Sequence, residues 1–209
     1  MRSLAALFGV MVAGLLVGST VAAGSPGAPA ALAPLLAYAA VGPWCRGLRV
    51  AGESVGSPPL LPFSSLGLLL RHLVVPVTLS ALVCGGTAAV ASGAVFGVAF
   101  GGTAFGGVAA AAILGVTVGL LAMALRLLGA LKGPLPQRLL APIPTPAGDL
   151  SSVNVLLWNL DGPMLAAAIG VALVVLATGT PVALPIAAAA MLALLLGWCW
   201  FRLRSLEKR

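Results

Sequence analysis

The sequence predicts an all-α fold, a polytopic bundle of about six transmembrane helices forming one membrane domain over residues 1–209, and three observations lead there. Apolar residues make up 61% of the chain and charged residues only 7%. A soluble domain carries about a quarter charged residues, so this chain lacks the polar surface to cover itself in water. Apolar runs recur along it at the length a helix needs to cross a bilayer, about 20 residues. The basic residues stand in small groups at the ends of these runs, where they set membrane orientation.

Spans are expected at 3–23, 28–45, 73–93, 105–127, 163–179 and 182–201. The first opens Met-Arg, continues "LAALFGVMVAGLLVG" and ends "TVAAGS". That pattern equally fits a secretory signal peptide cleaved after Ala23, and either reading leaves the downstream orientation unchanged. The third and fourth spans form one apolar tract, Leu73 to Leu125, with Gly101-Gly102-Thr103 as the turn between them. Arg2 precedes span one, and Arg46, Arg49 and Arg71 lie between spans two and three. Arg126, Lys132 and Arg138 follow span four, while Arg202, Arg204, Lys208 and Arg209 follow span six. Every second connection is thus basic, and the segments near 24–28, 94–104 and 178–182 carry no charge. Basic residues kept inside place both termini and the connections 46–72 and 128–162 in the cytoplasm of a multi-pass cell-membrane protein.

Residues 92–107, "SGAVFGVAFGGTAFGG", raise the question of what dense glycine is for. A phosphate-cradling loop needs a strand before it, a helix after it and usually a lysine, none of which is present. Flexible linkers are polar, whereas this stretch is apolar. Close helix packing remains, because small-xxx-small faces let helix backbones approach in lipid. Gly93, Gly97 and Gly101 recur at fourfold spacing, as do Gly102 with Gly106 and Gly115 with Gly119. A glycine-lined path or a re-entrant turn is the alternative.

The chemistry-bearing residues are few. The acids Glu53, Asp149, Asp161 and Glu207 all map to connections or span ends, and none sits at mid-membrane, where an ionisable group marks an ion pathway. His72 adjoins Arg71 and reads as an interfacial residue. Cys45, Cys84 and Cys199 are far apart and odd in number, with neither disulfide nor metal-ligand spacing. No catalytic constellation, metal site or cofactor site is expected, and an enzyme is not expected either. The net charge of +7 does not point to nucleic acid, since no basic stripe with interleaved aromatics exists.

Two inner segments carry more structure. In 52–76, Pro58, Pro59 and Pro62 break the chain, Ser64 or Ser65 can cap a short helix, and Pro76 is expected to bend the entry into span three. In 131–162, the proline-rich "GPLPQRLLAPIPTPAG" reads as extended and leads into "DLSSVNVLLWNLDGP". There Leu150, Val153, Leu156, Leu157 and Leu160 share a face at helical spacing, while Ser151, Ser152, Asn154, Asn159 and Asp161 occupy much of the other side, with Val155 and Trp158 as exceptions. This predicts a short amphipathic helix on the inner membrane face, started by Asp149 and ended by Gly162-Pro163. It would serve as an interfacial brace or as a docking surface for a partner, with Arg71, Asp149, Asn154 and Asp161 as candidate docking residues.

Six spans with interfacial helices inside, together with "RHLVVP" (71–76) and "TPAGD" followed by "WNLDGP" (145–163), resemble permease subunits of ABC-2-type exporters, in particular poorly characterised actinobacterial membrane proteins of that type. The resemblance implies a non-enzymatic membrane subunit, acting as a homo- or hetero-oligomer, on which a separate cytoplasmic ATPase docks, with 52–76 as the coupling segment. The outer connection "TGTP" (178–181) is shorter than in many such permeases. A membrane scaffold or assembly subunit, and the substrate-binding subunit of a vitamin-type importer, are the competing readings. Lipid is the partner in all three.

Overall fold

The computed structural model describes residues 2–23, 28–55, 64–100, 105–132, 144–145, 148–149, 151–179 and 184–207. Helices α1 (Arg2–Ala22) and α2 (Ala28–Ala40) are followed by a 3₁₀ turn (Gly42–Cys45) and α3 (Arg46–Glu53). Then come α4 (Ser65–Phe100) and α5 (Phe105–Ala130). Two-residue strands β1 (Pro144–Thr145) and β2 (Gly148–Asp149) pair antiparallel, Pro144 opposite Asp149. Helices α6 (Ser151–Gly179) and α7 (Leu184–Glu207) complete the described fold. Five helices, α1, α4, α5, α6 and α7, are long and apolar enough to cross a membrane, so the protein is a membrane-embedded, multi-pass helical bundle.

Three expected elements differ from those observed. The second span is not one membrane-length helix. Its 13-residue α2 gives way at Val41 to the 3₁₀ turn, because Pro43 has no N–H to give the Ala39 carbonyl four residues back. The third span does not begin at Leu73 after a separate short helix. Ser64 Oγ accepts the Gly67 N–H at 3.1 Å, as an N-cap does, and the helix it starts continues through Pro76 to Phe100. The fifth span likewise does not begin at Pro163, since residues 151–161 are the first turns of a 29-residue helix. That segment is therefore continuous with the membrane-crossing part and is not a separate surface helix. At 1.5 Å per residue, the 36 residues of α4 and 29 of α6 reach about 54 and 43 Å, against about 30 Å of hydrocarbon, so both project beyond the membrane core.

Where α1, α2, α4 and α5 meet, the core is rich in small side chains. Val10, Ala13 and Val17 of α1, Ala33 and Ala37 of α2, Cys84 and Ala88 of α4, and Ala111, Val118 and Ala122 of α5 are buried together. A second cluster joins Leu121 and Leu125 of α5 to Ala166 and Ile169 of α6. Helix α5 is central, with half of its apolar stretch buried (50%), whereas α7 is peripheral at 11%. The α4–α5 pair packs backbone to backbone. A Cβ at Gly115 would lie 2.6 Å from the Cys84 carbonyl oxygen, and one at Gly119 would lie 2.9 Å from that of Ser80. Such close approach is what small residues permit in lipid.

Helix α1 uses the same device against α4. A Cβ at Gly14 would lie 2.5 Å from the Cys84 carbonyl oxygen, and one at Gly18 would press closer still on that of Ala88. Gly93 differs, with Val108 Cγ2 at an ordinary 3.8 Å. Gly101 and Gly102 lie outside the described residues, as do the surroundings of Gly97 and Gly106.

Candidate functional site

Packing gathers the described basic residues at one end of the bundle. Gly9 of α1 abuts Ala40 of α2, Gly47 of α3 abuts His72 of α4, and Gly52 abuts the Ala130 backbone of α5. Lys132 and Arg202 meet within this same layer. Arg2 lies one helical segment from Gly9, so the start of α1 and the end of α7 share this end.

Arg126 is the first fixed point. Where α2 ends, its last carbonyls lack helical donors. Arg126 reaches from α5 and donates Nε and Nη2 to the Tyr38 carbonyl (2.9 and 2.6 Å) and Nη2 to that of Ala39 (3.3 Å). The Ala39 carbonyl is the one Pro43 cannot serve. The guanidinium also stacks on the Tyr38 ring, 3.9 Å from its centroid. A cation at a helix C-terminus further complements the helix dipole. Gly42 leaves room for it, since a Cβ there would stand 2.9 Å from Nη2.

Lys132 and Arg202 form the second. Arg202 of α7 donates Nε to the Leu131 carbonyl (3.0 Å) and Nη2 to the Lys132 carbonyl (3.2 Å), closing the end of α5. Lys132 Nζ donates to the Trp158 carbonyl and to Asp161 Oδ2, and lies 3.8 Å from the Trp158 ring centroid. Asp161 Oδ1 accepts the Gly162 N–H at 2.7 Å. That N–H is the helical donor for Trp158, so a lysine on the Trp158 carbonyl suits the place where α6 passes through Gly162-Pro163. Asn154, Leu157, Trp158, Asp161, Lys132 and Arg202 surround an open cavity of about 410 Å³.

The third point is the corner of α3 and α4. Arg49 and Glu53 pair at 3.2 Å, both well exposed, which contributes about 0.3–0.5 kcal/mol. Trp44, Gly47, Arg71, His72 and Val75 line a cavity of about 290 Å³. Arg46, Arg49, Arg71 and Arg204 are exposed around the rim.

Of the expected docking residues, the structure thus brings Asn154 and Asp161 together with Lys132. Arg71 lies at the separate α3–α4 corner, and Asp149 lies in β2, its side-chain surroundings outside the described residues. Arg126 and Arg202 read in the sequence as flanking charges. The signal pointing to Arg126 as a cap is Pro43, four residues after Ala39. Among the described residues no three His, Cys, Asp or Glu side chains converge on one point. The arrangement is a charged rim set on a helical frame. No family model matches the chain, nor does a curated protein or a solved structure.

Proposed function

We propose that the chain is a membrane-spanning permease subunit of an ATP-driven exporter in the cell membrane, its basic end cytoplasmic and docking a separate ATPase. One observation carries this reading: among the described residues, the basic side chains between the apolar runs sit on folded elements, Arg46 and Arg49 on α3, Arg71 near the start of α4 and Lys132 against the start of α6. Basic residues kept inside turn this rim to the cytoplasm with both chain ends. Helix α2, running from the uncharged end to Arg126, supplies a short sixth crossing. No nucleotide motif is found in the sequence, so the energy comes from another chain in this reading.

A scaffold or assembly subunit is the second reading, favoured by the apolar interior. Among the described residues the buried polar side chains are Ser80 and Ser92, and each donates to a carbonyl of its own helix. The deciding experiment is gentle detergent extraction of the tagged protein from its host, followed by mass spectrometry. A stoichiometric ATPase, lost in an Arg71→Glu, Asp149→Ala double variant that still inserts, is the expected result. Recovery without any ATPase, or with only other membrane proteins, would leave the scaffold.

A further inference from the structure

A groove of about 980 Å³ runs along the exposed face of α7 and ends at Lys132. Leu194, Trp198 and Phe201 form its apolar walls, and Gly197 forms a gap between them. A Cβ added at Gly197 would meet nothing within 4 Å, so this glycine serves no helix contact among the described residues. At the basic end the lining turns polar, with Lys132, Arg202 and Ser205. The lining from Ala190 to Leu206 spans about 24 Å of helix, close to the roughly 20–22 Å of one leaflet with its headgroup layer. The groove is thus one leaflet deep, apolar along its length and cationic where a headgroup would sit.

We infer that this groove holds one anionic diacyl phospholipid, its phosphate on Arg202 and Ser205 and an acyl chain lying across Gly197. Charge decides the occupant. Lys132 is paired with Asp161, while Arg202 spends Nε and one Nη2 hydrogen on backbone carbonyls, leaving three of the five guanidinium N–H donors. The two cations and one carboxylate leave a net positive charge at the mouth. Arg204 stacks on the Trp200 ring, 4.7 Å from its centroid, and Glu207 lies about 200° around the helix from Ser205, so neither alters the balance. Basic pockets at the membrane surface select anionic headgroups.

A second copy of the chain fits less well. A twofold axis along the membrane normal would bring two such mouths together, each with two cations and one carboxylate, so that like net charges face each other. An exporter subunit and a scaffold would both carry a lipid here, so the site stands apart from the choice between them.

The test uses the purified full chain in detergent, with native mass spectrometry counting bound lipid. The probes are dioleoylphosphatidylglycerol and dioleoylphosphatidylcholine, which differ only in the headgroup. One tightly held phosphatidylglycerol is expected, preferred about tenfold, as one or two basic residues near a headgroup give. Gly197→Leu should abolish it by filling the gap, with the fold intact. Arg202→Gln should remove the preference and Arg202→Lys should restore much of it. Equal retention of the two lipids overturns the assignment, as does a preference that survives Gly197→Leu. A dimer that crosslinks through position 197 and excludes lipid overturns it in favour of a second copy.

Discussion

At the scale of the residue, the ends of helices explain most of the charged side chains. Arg126 looked like a marker of orientation because it follows an apolar run, but its guanidinium closes α2 by donating to the Tyr38 and Ala39 carbonyls. Removing it strands carbonyls in a poorly hydrated place, at a cost of about 2 kcal/mol for charged hydrogen bonds of this kind. Arg126→Met should therefore lower the thermal midpoint in detergent, and Arg126→Lys should recover only part of the loss, lacking the planar fork. An unshifted midpoint in Arg126→Met would show that α2 ends without this cap. The glycines divide in the same way. Gly115→Leu must push the Cys84 backbone away, while Gly93→Ala meets only Val108 Cγ2 at 3.8 Å. The first should unfold at markedly lower temperature than the parent and the second should match it; equal midpoints would remove the close-packing account of α4 and α5. Spacing alone could not separate these two glycines, because it does not say which neighbour a face meets.

At the scale of the element, apolar length was legible and continuity was not. Gly162-Pro163 reads as an end and Pro76 as a bend because, in water, a helix-interior proline costs about 3 kcal/mol. In a membrane protein the alternative is an unsatisfied backbone, so a helix continues through proline wherever a neighbour takes up the freed groups. Lys132, 26 residues away in sequence, donates to the Trp158 carbonyl, next to the Asn159 carbonyl that Pro163 leaves without its helical donor. The opposite error occurred in α2, where apolar composition ran on to Cys45 but Pro43 ended the helix. The Lys132–Asp161 pair is half open to solvent on the acid's side, with Asp161 60% exposed. A double-mutant cycle with Lys132→Met and Asp161→Asn should therefore give a coupling of about 1 kcal/mol or less. The Lys132→Met single variant should cost more, because it also gives up the Trp158 carbonyl and ring. Single losses of equal size would place the whole effect in the ion pair.

At the scale of the whole molecule, the alternation of charged and uncharged connections matches a physical division of the bundle into two ends. One end holds Arg126, Lys132, Arg202 and the α3–α4 corner, all tied to backbone or to one another. The other holds Ala23 and the end of α6. The sequence carried this division because basic side chains cross lipid reluctantly. It did not carry the ties, which join residues 26 to 88 positions apart. Orientation follows if the rim faces the cytoplasm, and it can be read directly. Cys45, Cys84 and Cys199 are buried, so single cysteines introduced elsewhere report their own surroundings. Ser54→Cys and Ser205→Cys should react with a membrane-impermeant maleimide only after the cells are opened. Ala23→Cys should react in intact cells. Labelling of Ser54→Cys and Ala23→Cys from the same side would mean that α2 folds back without crossing, leaving five crossings and the two chain ends on opposite faces. That outcome would also move α3 and the α4 corner to the outer surface, away from any cytoplasmic ATPase, and the exporter reading would fall with them.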